Sequence, residues 1–250
     1  MQHSAQGSRA PVRSLRRRDG FEAAAWVAFL VLYGNAATLA EVNLGATGER
    51  MAALGKVLVA GLMLLWTVWL DRRPLASLGL GAHNLRRSLG WGAAFGLVAL
   101  PLLPFMLVFP VVAGQPWRYP VLTEVSAAEF LYQVVGHARL LAAFFEEIAF
   151  RGFLQAKLDR VLSPAGAVVA ASAAFAAWHL VVNYRTLAQA GLNLPTLLVG
   201  LIYVSGLVAV FVGGVAFSLL RRWTGNLAGP ILAHWLMVAL LMVGVRLQYR

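Results

Sequence analysis

The sequence predicts an all-α polytopic membrane protein of about seven transmembrane helices, with a functional bundle formed by the later spans. Three observations predict it. Of the 250 residues, 60% are apolar and only 12% charged, roughly half the charge share of a soluble domain. Charge-free runs cover Ala23–Ala40, Ser88–Trp117, Val161–Tyr184, Thr186–Leu220 and Trp223–Val245, and about 20 such residues cross a bilayer as a helix. The basic residues fall mainly in the loops of one side. Absence of Cys excludes disulfides, thiolate catalysis and cysteine zinc sites.

In chain order the spans read as about 22–40, 51–70, 89–109, 139–160, 164–182, 196–220 and 227–246. Residues 1–20 form a basic N-terminal segment ahead of the first span. The apolar run behind it, about 18 residues, is long for a cleaved signal, so the first span is expected to be retained. Residues 21–125 hold the first three spans and their loops, and 126–250 the functional core. Pro101, Pro104 and Pro110 interrupt the third span, where proline shapes a kink or a cavity. The segment 110–138 carries Pro110, Pro116 and Pro120, then a helical stretch from Ser126 that is either interfacial or an extension of the fourth span. The small residues Gly206, Gly213, Gly214 and Ala216 read as a close-packing face.

A net charge of +11 would mark a nucleic-acid binder in a soluble protein; here it sets topology, and no nucleic-acid partner is expected. With the N-terminus cytoplasmic, thirteen basic residues fall inside (Arg9, Arg13, Arg16, Arg17, Arg18, Arg72, Arg73, Arg86, Arg87, Lys157, Arg160, Arg221, Arg222) and six outside (Arg50, Arg118, Arg139, Arg185, Arg246, Arg250). That asymmetry is the positive-inside pattern. Trp26, Trp66, Trp69, Trp91, Trp178 and Trp223 fall near span ends, as interfacial aromatics do. The expected location is a bacterial inner membrane.

Ionisable groups inside a bilayer cost several kcal/mol unless they are paired or line a polar cavity. Glu146, Glu147 and Arg151 in the fourth span, His179 in the fifth and His234 in the last therefore ask for a reason. Glu147 and Arg151 are four apart, about 40° around the helix, with the acid first, so they can pair. Glu146 lies about 100° from Glu147 and points elsewhere. One carboxylate reads as structural, the other as free for chemistry.

Depth brings the histidines to it. Counted from the turn near Asp159–Pro164, Glu146 and His179 both lie roughly 21 Å in, and His234 at most roughly 18 Å beyond Arg222. A carboxylate beside an imidazole can take a proton from water and pass it to a leaving group, and a second His can donate to an oxyanion. The same ligand types also suit zinc, with Glu as ligand or base. His137, nine residues from Glu146, reads as interfacial.

Glu-Glu-x-x-x-Arg at 146–151, Phe-x-x-x-His at 175–179 and the late His234 resemble the three motifs of the CPBP (ABI) intramembrane glutamic endopeptidases. That family includes the CAAX prenyl endopeptidases and bacterial proteins of bacteriocin maturation or immunity. The resemblance covers residues 126–245. It implies that Glu146 activates water with His179, that Glu147 and Arg151 complete the first motif, and that His234 helps form the oxyanion site. No cofactor is expected, with zinc left as the alternative. The family commonly carries Asn four positions after the last His, where this chain has Val238; Asn183 or Asn226 is the substitute donor to look for. The implied substrate is a membrane-anchored protein or peptide, and a C-terminal sorting tail of the myxosortase type fits a layer in the outer half of the membrane. A non-catalytic immunity or peptide-binding factor in the bilayer, and a proton-conducting transporter, are the rival readings.

Overall fold

The computed structural model describes residues 10–114, 116, 120–135 and 139–249, and among these every regular element is helical. Helix α1 (Ala10–Leu44) already includes the second half of the basic segment and turns at Gly45 into α2 (Ala46–Leu65). Gly45 has φ +55°, a conformation that glycine adopts at no steric cost. Gly48 lets the two backbones close: a Cβ there would lie 2.1 Å from the Ala40 carbonyl oxygen. A wider π turn, Trp66–Leu70, ends α2 and a 3-10 turn, Leu75–Leu78, follows.

Next come α3 (Leu85–Leu97), α4 (Leu102–Ala113), the single turn α5 (Pro120–Thr123), α6 (Ala127–Val135) and α7 (Arg139–Glu146). From α7 the chain runs without interruption through a π segment, Glu147–Leu154, into α8 (Gln155–Leu158). The last four helices are α9 (Pro164–Trp178), α10 (Leu180–Gln189), α11 (Thr196–Thr224) and α12 (Ala228–Leu247). Among the described residues, four helices are long and apolar enough to cross a membrane: Arg17–Leu44, Ala46–Leu70, Thr196–Thr224 and Ala228–Leu247. The pair α9 and α10, bent by 43°, makes a fifth if it is one span.

The predicted third span, 89–109, is two helices parted at 98–101. Pro101 and Pro104 have no N–H to donate, so the helical ladder fails there. The fourth, 139–160, is helical as far as Leu158, but Glu146, Glu147, Arg151 and Lys157 make it too charged to count as an apolar span. The stretch from Ser126 starts α6 with a capping box: the Glu129 N–H donates to Ser126 Oγ (3.2 Å) and the Ser126 N–H to Glu129 Oε2 (2.9 Å). Two reciprocal bonds satisfy donors that a helix start leaves orphaned. His137 and residues 1–9 lie outside the described residues.

Charges sort to the two ends of the bundle. At one end Lys157 pairs with Glu22 and Asp71, Arg160 pairs with Asp71 (2.7 Å), Arg222 with Asp159, and Arg221 donates to the carbonyls of Ser77 and Leu78. Glu41, Lys56 and Arg185 meet at the other. Burial by itself would raise the Asp71 carboxyl, but hydrogen bonds from Arg160 and Lys157 outweigh it and hold it below the ordinary carboxylate value.

The core sits around the π segment, whose eight residues are all buried. Trp26 and Leu30 of α1, Met63 of α2, Phe150 and Phe153 of the π segment, and Phe175 and Trp178 of α9 close around it. Trp26 and Trp178 are therefore core residues rather than the interfacial anchors expected from their place near span ends; Trp69 and Trp223 are exposed as expected. Small residues bring backbones together where helices cross. A Cβ on Gly92 would lie 2.4 Å from the Gly229 carbonyl oxygen, and Gly229 N–H donates to Ser88 Oγ (2.8 Å), so α3 and α12 meet backbone to backbone. In α11, Gly214 packs on Ser172 and Gly206 on Asn183, while Gly213 faces open space.

Candidate active site

Three helices deliver the ionisable groups to one point. Glu146, the last residue of α7, places Oε2 3.8 Å from His179 Nε2 and 3.8 Å from His234 Nε2. The common depth counted from the sequence is therefore met in space. Behind this cluster, Glu147 Oε1 accepts from Arg151 Nη1 at 2.9 Å and faces His234 Nδ1 at 2.9 Å. The Arg151 guanidinium lies over the Phe175 ring, 4.0 Å to the centroid, and near Phe217 at 5.3 Å. Phe217 stacks on the His234 imidazole (5.3 Å, 21° between planes). Glu147 and Arg151 are almost wholly enclosed, whereas Glu146 and both imidazoles keep some exposure to a cavity.

These contacts assign protons. The His179 Nδ1 lies 2.8 Å from the Phe175 carbonyl oxygen, which can only accept, so Nδ1 carries a proton and Nε2 is the nitrogen that faces Glu146. His234 Nδ1 faces Glu147 Oε1, an oxygen that also accepts from Arg151 Nη1, so that nitrogen is the donor of the contact.

His179 sits at the bend between α9 and α10, and the local hydrogen bonds explain the break. Its ring occupies the Phe175 carbonyl that an unbroken helix would offer to the His179 N–H, which instead donates to Ala176 (3.0 Å). Asn35 of α1 takes up the groups that the break releases. Its Nδ2 donates to Ala177 O (2.9 Å) and to its own helix at Val31 O (2.8 Å), and its Oδ1 accepts from the Val181 N–H (2.9 Å). Freed backbone groups inside a membrane need such partners. The sequence reading passed over Asn35; a polar amide inside an otherwise apolar span was the signal available. Gly34 beside it is required by Trp178, whose ring would lie 2.2 Å from a Cβ at that position.

The two asparagines considered as oxyanion donors are engaged elsewhere. Asn183 Nδ2 donates to Tyr203 O (2.9 Å) on α11. Asn226 donates to the carbonyls of Gly81 (2.6 Å) and His83 (2.9 Å) and accepts from the Ala228 N–H (2.8 Å), closing the turn into α12. Both amides tie segments together rather than reach Glu146. Val238, one turn beyond His234, lines the cavity as an apolar group.

That cavity has a volume of about 580 Å³. Glu146, His179, His234 and Trp178 stand at one end, and Glu41, Arg50, Lys56 and Arg185 line the other. Tyr132 and Gln133 of α6 form part of its wall. Among the described residues no group of three His, Asp or Glu has the arrangement of a metal site. A carboxylate and two imidazoles at the wall of a cavity large enough for a peptide segment can hold a water and move its proton.

Residues 128–240 match the family model described as Type II CAAX prenyl endopeptidase Rce1-like, which is consistent with the CPBP family. The matched stretch runs from α6 into α12 and contains Glu146, Glu147, Arg151, His179 and His234. No curated protein and no solved structure matches the chain.

Proposed function

We propose, from an Rce1-like segment set in a bundle of membrane helices, that this protein is an intramembrane endopeptidase using Glu146 as its base. The observation that carries the reading is the meeting of Glu146 Oε2 with two imidazole nitrogens, each at 3.8 Å, at the wall of the 580 Å³ cavity. A water lodged against Glu146 and the His179 Nε2 lone pair gives its proton to the Glu146 carboxylate as its oxygen attacks the peptide carbonyl. Glu146 then returns the proton to the departing amine, so one residue serves as base and acid.

His234 faces the site through Nε2. With Nδ1 already protonated against Glu147, Nε2 can donate to the oxyanion only in the imidazolium form. The charge of that form is balanced by Glu146 and Glu147, with Arg151 offsetting one of the two carboxylates. The second carboxylate thus acts through His234, which it orients, and does not touch the substrate. With Asn183 and Asn226 bonded to other segments, the imidazolium takes the donor role here.

With the N-terminus cytoplasmic in a bacterial inner membrane, the Glu41 end of the cavity opens on the outer side. The substrate is then a membrane-anchored protein cut near the outer leaflet, and a C-terminal sorting tail of the myxosortase kind fits that geometry. The test is Glu146→Gln in cells, with C-terminal and N-terminal proteomics against wild type. A precursor that accumulates only in the variant is the expected result. Normal processing by a variant present at wild-type level would sink the mechanism. Processing by the purified protein is expected to survive strong chelation; loss that zinc restores would move the chemistry to a metal.

A further inference from the structure

We infer that Lys56 and Arg185 form a carboxylate-recognition site at the far end of the cavity, which the protein's own Glu41 occupies until substrate arrives. The inference rests on the endopeptidase reading and names a chemical feature of its substrate. Three helices meet there: Glu41 from α1, Lys56 from α2 and Arg185 from α10. Glu41 Oε2 lies 3.6 Å from Arg185 Nη1 and Glu41 Oε1 lies 4.0 Å from Lys56 Nζ. Both distances allow charge attraction, and both exceed a hydrogen bond. A carboxylate thus sits between two cations without being bonded to either.

The site is neither buried nor fully open. The side chains of Lys56, Glu41 and Arg185 are 20%, 24% and 27% exposed, a range in which an ion pair is weak and exchangeable. That contrasts with the opposite end of the bundle, where Lys157 and Asp71 are almost enclosed and joined at 2.8 Å. One end is built to stay shut and the other to let go. The rim and the catalytic groups line the same cavity. Arg185 lies six positions beyond His179, about 9 Å of helix rise, so one extended peptide reaches both. A carboxylate on that peptide can enter between Lys56 and Arg185 at hydrogen-bonding distance, where Glu41, tethered to α1, does not reach. Glu49 and Arg50 line the same cavity and offset one another in charge, which leaves Lys56 and Arg185 as the cations that face Glu41.

A substrate carboxylate comes from an Asp or Glu side chain or from a chain terminus, and binding assays separate the two. The full-length Glu146→Gln protein in phosphatidylcholine nanodiscs is titrated with three fluorescent Ala/Leu decapeptides. One ends in a carboxamide, one in a free carboxylate, and one in a carboxamide with Asp near that end. At least one carboxylate peptide is expected to bind about twofold to fivefold more tightly than the neutral one, as a partly exposed ion pair gives. Lys56→Gln and Arg185→Gln should erase that preference, Lys56→Arg and Arg185→Lys should keep it, and Glu41→Gln should raise affinity for the carboxylate peptide. Equal affinity for all three peptides, no binding of any, or a preference that survives loss of both cations overturns the site. Because the assay uses an inactive protein, its failure stands apart from failure of the Glu146 processing experiment.

Discussion

Replacing Arg151 with alanine removes the guanidinium bonded to Glu147, and the structure sets the cost. The pair is 2.9 Å long with side chains 1% and 0% exposed, and breaking such a buried pair costs about 3–5 kcal/mol because the surviving charge is left uncompensated. The guanidinium also lies 4.0 Å from the Phe175 centroid, worth about 1–2 kcal/mol more when desolvated. The loss is thus about 4–7 kcal/mol, a large share of the roughly 5–15 kcal/mol that holds a protein folded. For a chain of this length it lowers the melting temperature by about 8–28 °C. Thermal unfolding of detergent-purified protein reads this directly. A second arm separates charge from packing: Glu147→Gln with Arg151→Met removes both charges, fills the space, and leaves an amide oxygen to accept from His234. It should recover at least half of the loss. An Arg151→Ala protein that melts with wild type, or a double variant no better than the single, would refute the argument.

Two further outcomes are expected. Asn35→Ala leaves the Val181 N–H and the Ala177 carbonyl without their partner at the His179 bend, so precursor processing should fall by about tenfold or more while the protein still inserts; undiminished processing would show that the bend holds without Asn35. Asp71, whose folded pKa is depressed below its ordinary value of 3.8, contributes stability that is complete above that value and lost as pH falls through the folded pKa. Melting temperature followed downward from pH 5 should therefore drop in wild type and drop less in Asp71→Asn, and identical acid profiles would count against the network around Lys157 and Arg160.

Apolar run length and charge placement were sufficient to determine an all-helical membrane protein, because a bilayer demands long charge-free stretches and penalises every exception. The same penalty made Glu146, Glu147, Arg151, His179 and His234 visible as exceptions, and their counted depth placed them in one layer. The Glu147–Arg151 pair followed from spacing, since residues four apart meet on any helix. Tertiary structure decided the rest. Whether an aromatic near a span end faces lipid or core depends on its neighbours, so Trp26 and Trp178 were legible as aromatics but not as core. The break at His179 depends on Asn35, 144 positions earlier in the chain. The fate of Asn183 and Asn226 turned on carbonyls of distant segments, and the cluster of Glu41, Lys56 and Arg185 exists only because three helices bring them side by side. Periodicity and burial cost act along one helix and can be read from its residues; hydrogen bonds and charge contacts between helices are set by packing, which no single stretch of sequence contains.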